Sequence, residues 1–210
     1  MSQGSVIRDL RRLANRRSDS TAAAAREERC DLCAAMIPSE HRHMLHVEDR
    51  VIVCTCETCR ALFAGAGAYR PAGTRTLWLD GLELPDDLWA SFRIPIGLAF
   101  FFLSTTGGAD GSGGVVAFYP SPAGTTECEL DLRAWDLLVA ANPVLESLER
   151  DAEALIVNRL GEARQHAIVP IDECYKLVGL VKLNWTGITG GVEIEHAVAG
   201  FFTDTRARAT

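Results

Sequence analysis

The sequence predicts an α+β fold in which a small cysteine-rich unit precedes an antiparallel sheet packed with a few helices. Three observations carry this. Two Cys-x-x-Cys turns, Cys30–Cys33 and Cys56–Cys59, lie 22 residues apart. Apolar runs bounded by Gly- and Pro-rich turns follow, the pattern of buried strands. Helical periodicity then takes over between residues 132 and 202, around one further pair of strands.

The first 29 residues carry seven Arg against four acidic side chains, a net of +3 that leaves −10 for the remainder of the 210-residue chain. Val6, Leu10 and Leu13 have helical spacing, so this basic tail is expected to form a short amphipathic helix that frays or docks on a partner. Residues 30–63 hold the paired cysteines. Residues 64–75 (AGAGAYRPAGTR) have the composition of a linker. Residues 76–210 form the α+β domain. There, Phe92–Leu103 reads as a buried strand or hairpin arm, residues 105–114 as a turn, Val115–Tyr119 as a strand stopped by PSPAG, and Thr126–Leu132 as another strand. Leu132, Trp135, Leu138 and Val139 define one helix face, closed by Asn142-Pro143, which can start the next helix. Ala154–Leu160 and His166–Ile171 flank a turn. Asp172 is placed to cap a helix with Cys174, Leu177, Val178, Val181 and Trp185 on one face, and a last helix turns Ile194, Val198, Phe201 and Phe202 inward.

Composition limits the function. With 48% hydrophobic and 23% charged residues, a sizeable core forms and wholesale disorder is excluded. A net charge of −7 makes nucleic acid an improbable partner. No apolar run approaches the roughly 18 residues of a membrane span, and the start lacks the apolar stretch of a secretory signal. A cytoplasmic location is expected. Seven cysteines then call for something other than disulfides.

A four-thiolate metal site answers that call. Each Cys-x-x-Cys turn aims two sulfurs at one point, and the intervening chain is long enough for a hairpin that brings the second turn opposite the first, as in a zinc ribbon or a rubredoxin. Arg50–Cys54 has the β-branched content of a strand entering the second turn. Cys30, Cys33, Cys56 and Cys59 are therefore the expected ligands. Zinc is the expected ion and iron the alternative. Rubredoxin turns carry Gly after the second Cys, whereas Ala34 and Arg60 stand there in this chain. Cys54 either replaces Cys56 as ligand or sits beside the site. His41 and His43 alternate so that both imidazoles can face one way, near His46, and a second metal on Cys54 and His43 is conceivable. Cys128 and Cys174 read as core thiols.

The other candidates are weaker. Trp185–Gly191 (WTGITGG) lacks the ending of a phosphate-binding loop. Ser121 lies between two prolines without the surroundings of a nucleophile. Asp86, Asp87 and Glu149–Glu153 read as solvated acids, with Asp151 and Glu153 only a weak metal pair. No catalytic constellation emerges, so no enzyme activity is expected.

With these residues in hand, the chain resembles an uncharacterised family of proteins encoded beside the actinobacterial-type, oxygen-tolerant uptake NiFe hydrogenases. The likeness rests on LRRLA (10–14), ERCDLC (28–33), EHRHML (40–45), CTCETCRALF (54–63), IPIGLAFFF (94–102), FYPSPAGTTECEL (118–130), VPIDECYKLVGLVK (169–182) and WTGITGGVEIEHAVAGFF (185–202). It implies a role in assembly, maturation or regulation of a hydrogenase, with a hydrogenase subunit or assembly factor as partner. Three expectations follow: a non-enzymatic accessory protein for NiFe-hydrogenase maturation, a rubredoxin-type iron protein serving the hydrogenase, or a zinc-ribbon nucleic-acid-binding regulator.

Overall fold

A computed structural model describes residues 28–65, 67–106, 113–185 and 191–210. The expected N-terminal helix and the central parts of the turn at 105–114 and of WTGITGG lie outside the described residues. The architecture is α+β with antiparallel sheets throughout.

The cysteine-bearing unit comes first. Strands β1 (Glu28–Arg29) and β2 (Met36–Ile37) pair around the first cysteine turn. Strands β3 (Arg42–His46) and β4 (Val51–Thr55) form a hairpin, and β4 leads through Cys56 into helix α1 (Glu57–Phe63). Strand β5 (Tyr69–Pro71) then returns along the free edge of β3, giving a three-stranded sheet in the order β4-β3-β5. Two expected boundaries therefore move. Glu28 and Arg29 belong to this unit rather than to the tail. The expected linker 64–75 contains a paired strand: its glycines and alanines mask Tyr69, which packs between His46 and Phe63 at ring-centroid distances of 4.9 and 5.9 Å.

The remaining chain builds a six-stranded sheet in the order β6-β11-β10-β7-β8-β9. Its strands are β6 (Leu77–Trp78), β7 (Leu98–Ser104), β8 (Gly114–Ser121), β9 (Gly124–Cys128), β10 (Glu153–Asn158) and β11 (Gln165–Pro170). Helices α2 (Asp86–Ser91), α3 (Leu132–Ala141), α4 (Ile171–Asn184) and α5 (Val192–Arg208) accompany it. Alternate residues feed two cores. Phe100, Phe102, Ile156 and Val169 pack with Leu177, Val181, Val198 and Phe202 of α4 and α5. Phe101, Leu155, Val157 and Ile168 pack with Phe92, Trp135 and Leu138. Burial on both faces explains why β7 is an unbroken apolar run rather than an alternating one. Gly97 sits where a Cβ would meet the carbonyl oxygen of Arg159 at 2.5 Å, so the chain enters β7 at a point that admits no side chain.

Several local expectations change. Phe92 ends α2 instead of opening a strand, and Arg93 adopts φ 55° to turn the chain toward β7. The expected strand 126–132 is β9, which stops at Cys128. Leu132 opens α3 on its exposed side. Asn142 and Pro143 stand where expected, Asn142 ending α3 and preceding a short 3-10 turn over Pro143–Ser147, but the Asn142 side chain does not bond to that turn. Instead it accepts the N–H of Glu83 and donates to the carbonyls of Glu83 and Leu138, fastening the 83–84 loop to α3. The N-cap of α4 is Pro170, so Asp172 lies inside the first turn, free for another task. Glu149–Glu153 is not a solvated acidic run. Buried Asp151 accepts the N–H and hydroxyl of Thr105, and buried Glu153 is gripped by Arg75 at 2.6 and 3.0 Å. Both acids are committed to these partners.

The two units share a core. Leu45 of β3 belongs to the cluster formed by α4, α5 and the large sheet, and the Tyr175 hydroxyl donates to the Arg50 carbonyl in the β3–β4 turn.

Candidate metal centre

The first turn, Cys30-Asp31-Leu32-Cys33, is closed by backbone hydrogen bonds from Ala34 N–H to Cys30 O (2.8 Å) and from Cys30 N–H to Ala35 O (2.8 Å). Ala34 stands at φ 58°, the conformation that glycine adopts without cost. The geometry glycine would serve is therefore present, with a Cβ accommodated in it. Asp31 staples the turn to β4: its N–H donates to Cys54 O (2.9 Å), and its carboxylate accepts the Cys54 N–H (2.6 Å). The second turn is built differently. Cys56 is the N-cap of α1, and its sulfur accepts the Cys59 N–H at 3.4 Å. One pair of thiols thus comes from a tight turn and the other from a helix start. Arg60 continues the helix, which accounts for a side chain at the position after Cys59.

The β3–β4 hairpin brings the two turns face to face. One ligand atom from each of Cys30, Cys33, Cys56 and Cys59 lies within 4.8 Å of the others, and the sulfurs of Cys33 and Cys56 are 3.7 Å apart. A tetrahedral site with metal–sulfur bonds of about 2.3 Å has an edge of about 3.8 Å, so the separation suits a shared ion. Cys30 and Cys59 are buried, whereas Cys33 is exposed. Burial works against ionising Cys30, but the N–H groups of Cys56, Leu32 and Cys33 outweigh it and pull the thiol down to about 6. Cys59 goes the other way, pushed up to about 12 by burial and then by its three sulfur neighbours. Without an ion, negative charge on Cys30 opposes ionisation of Cys59 beside it. A divalent cation removes that conflict. The four cysteines are thus able to hold a metal ion.

Cys54 does not take the place of Cys56 in this group. It pairs directly with His43 across the hairpin, and His41, His43 and Cys54 form a second group whose ligand atoms also lie within 4.8 Å of one another. Burial, followed by the negative charges of Asp31, Glu28 and Cys30, raises the Cys54 thiol. His43 Nδ1 donates to Asp172 Oδ2 at 2.8 Å. That bond joins residues 129 apart in the chain. The sequence offers no local signal for it, apart from a carboxylate left over at a helix start that Pro170 already supplies. An open cleft of about 500 Å³ has His41 and Cys56, one residue of each group, in its wall.

Cys128 and Cys174 take no part in either group. Cys174 is fully buried and its thiol is raised well above the ordinary value by burial and then by Asp172 and Glu173. Cys128 is half-buried on β9, raised to about 11 by burial and then Glu127. Ser121 closes the β8–β9 hairpin: it accepts the N–H of Ala123 and donates to the carbonyl of Gly124.

Fold and centre together define an α+β protein with a four-cysteine cluster in a small unit that precedes a six-stranded sheet. The chain belongs to a family of unknown function, DUF5947, whose model matches residues 29–209. The match runs from the first strand to the end of the last helix, so cysteine unit and sheet domain are one family unit. No curated protein and no solved structure matches the chain significantly. Among the described residues, no helix is long and apolar enough to cross a membrane.

Proposed function

We propose that the protein is a non-enzymatic accessory factor for NiFe-hydrogenase maturation, working in the cytoplasm, in which a structural zinc ion fixes the cysteine unit as a recognition surface beside the sheet domain. The observation that carries the reading is the closed set of four thiolates, Cys30, Cys33, Cys56 and Cys59, within 4.8 Å of one another. Four protein ligands leave a tetrahedral ion no vacant position, which suits a structural role. Zinc is favoured over iron because the two turns are unlike: the first is a tight turn, and the second runs straight into a helix. The hydrogenase partner rests on the sequence resemblance alone.

Elemental analysis with an optical spectrum of the native protein tests the ion. A colourless protein with zinc in the four-cysteine site is expected. A red protein with a reversible one-electron couple would replace this reading with the iron redox protein. The partner is tested by affinity purification of the tagged chain from a hydrogenase-producing cell, where an immature hydrogenase subunit is expected in the eluate. Normal hydrogenase maturation in a strain lacking the gene would overturn the accessory role.

A further inference from the structure

We propose that His41, His43 and Cys54 form a second metal site, distinct from the four-cysteine centre, that takes a divalent late first-row ion such as Zn²⁺ through two imidazole nitrogens and one thiolate. The three residues come together for a reason the sheet dictates. Directly opposed residues in an antiparallel pair share a face, which sets Cys54 beside His43, and His41 lies just ahead of β3, where its ring meets that of His43 edge-on. Their ligand atoms lie within 4.8 Å of one another, and the two rings are 4.7 Å apart between centroids.

The hydrogen bonds set the tautomers. His41 Nδ1 donates to the Pro38 carbonyl at 3.0 Å and lies 3.1 Å from Glu28 Oε2. His43 Nδ1 donates to Asp172 Oδ2 at 2.8 Å. In the neutral rings both Nε2 atoms are then left with free lone pairs, the form in which histidine binds metal, and a carboxylate behind the ring is how ligating histidines are oriented. His41 supplies the independent observation. Its side chain is only 7% exposed, yet its Nε2 is buried without a hydrogen-bond partner. A buried acceptor left unmatched calls for an explanation, and a cation provides one. Glu28, Asp31 and Asp172 add negative charge around the group. Two imidazoles and one thiolate suit zinc or its late neighbours and are poor for magnesium or calcium. On binding, the Cys54 S–H bond breaks, the sulfur keeps the electron pair as a metal–sulfur bond, and the proton goes to solvent. Three protein ligands leave a fourth position open, unlike the closed centre next to it, so this ion can accept a donor from water or from a bound partner.

The test is metal stoichiometry and spectroscopy on the full chain. The protein is stripped with a chelator, reloaded with Zn²⁺ or Co²⁺ and freed of unbound ion. Wild type is expected to hold two equivalents. Cys54→Ala and His43→Ala are expected to hold one, with the four-thiolate Co²⁺ spectrum unchanged. Asp172→Asn serves as the milder variant. It keeps both equivalents at saturation but weakens the second by about 10- to 100-fold. Three results would overturn the proposal: a single equivalent in saturated wild type that carries the four-thiolate spectrum, two equivalents retained in both Cys54→Ala and His43→Ala, or loss of the four-thiolate spectrum in Cys54→Ala. The last would place Cys54 in the first centre. Failure of the four-cysteine centre reads out separately, as loss of the four-thiolate spectrum in wild type while the histidine-dependent equivalent remains.

Discussion

The cysteine unit and the sheet domain are held together by different forces. Between β1 and β5, the unit's own apolar cluster has three buried residues, Cys30, Ile37 and Cys59, and two of them are metal-ligand candidates. The sheet domain has a core on each face, with Phe100, Phe102 and Phe202 on one side and Phe92, Phe101 and Trp135 on the other. A unit of some forty residues buries too little apolar surface to fold on its own and needs a metal or a neighbour. This one has provision for both: four clustered cysteines able to hold an ion, and Leu45 packed into the domain core. The comparison teaches that loss of the ion and loss of core packing should be felt in different parts of the same chain.

Metal removal is the largest expected effect. A structural zinc contributes an apparent binding free energy of roughly 10–16 kcal/mol in zinc-finger peptides, far above what the small cluster around Ile37 supplies. Chelation of the purified protein, or Cys33→Ser, is expected to raise amide hydrogen exchange across residues 30–63 while β7, β10 and β11 stay protected. Cys128→Ser is expected to leave both metal content and exchange unchanged. Equal loosening of the two regions on chelation would break the comparison, because the ion would then be supporting the whole chain.

The converse change falls in the domain. Phe101 is fully buried, stacked on Trp135 at 5.7 Å and tilted against Phe92 at 5.1 Å. Phe101→Ala is expected to cost about 3–5 kcal/mol and to lower the thermal midpoint, with metal stoichiometry unaltered. Calorimetry and elemental analysis on the same preparation check both halves.

The sequence revealed these two regions unequally. The four-cysteine cluster was legible because two Cys-x-x-Cys turns at hairpin separation leave little choice of partner. The helices over 132–141, 171–184 and 192–208 were legible because their apolar stripes repeat at helical spacing. Strand β5 was hidden because Gly- and Ala-rich flanks read as linker, although Tyr69 packs like a strand residue. The buried acids were misread because burial of Asp151 and Glu153 depends on Thr105 and Arg75, both distant in the chain. The partner of His43 was out of reach for the same reason: a bond between β3 and α4 leaves no trace in local periodicity. Cys54 was ambiguous in the sequence, and the β3–β4 register resolved it in favour of the histidines.

A pH-dependent effect of intermediate size separates the regions without touching the metal ligands. His166 is buried on β11, with Nε2 unpartnered, and its pKa is lowered to about 4 from an ordinary 6.5 by burial and then by Arg159 and Arg164. Between those values the unfolded chain takes up a proton that the folded one refuses, so stability is full above about 6.5 and falls as the pH drops toward about 4. His166→Gln is expected to reduce this slope, changing the pH dependence by on the order of 1–2 kcal/mol after allowance for screening. Denaturant midpoints of wild type and variant between pH 7 and pH 4 measure the difference, in which contributions from the metal centre cancel. Identical slopes would show that His166 titrates normally in the fold.

The smallest effect tests the seam between the regions. Tyr175 of α4 is half-buried, its ring 6.0 Å from Phe100, and its hydroxyl donates to the carbonyl of Arg50. Arg50 needs that anchor, because it turns the β3–β4 hairpin at φ 53°, a conformation unfavourable for a residue with a side chain. The same arginine reaches Glu127 of β9 at 2.6 Å and lies over Phe118, so one residue of the cysteine unit touches the domain three ways. Burial, with a smaller contribution from Cys174, raises the phenol, so it stays protonated and donating across the usable pH range. Tyr175→Phe keeps the ring in the core and removes only the hydrogen bond, which is worth about 0.5–1.5 kcal/mol. If the seam transmits stability, the variant should show faster exchange in the 46–51 turn and a modest loss of global stability, with metal content intact. If the turn loosens while global stability stays the same, this hydrogen bond holds the turn locally and does not couple the cysteine unit to the stability of the sheet domain.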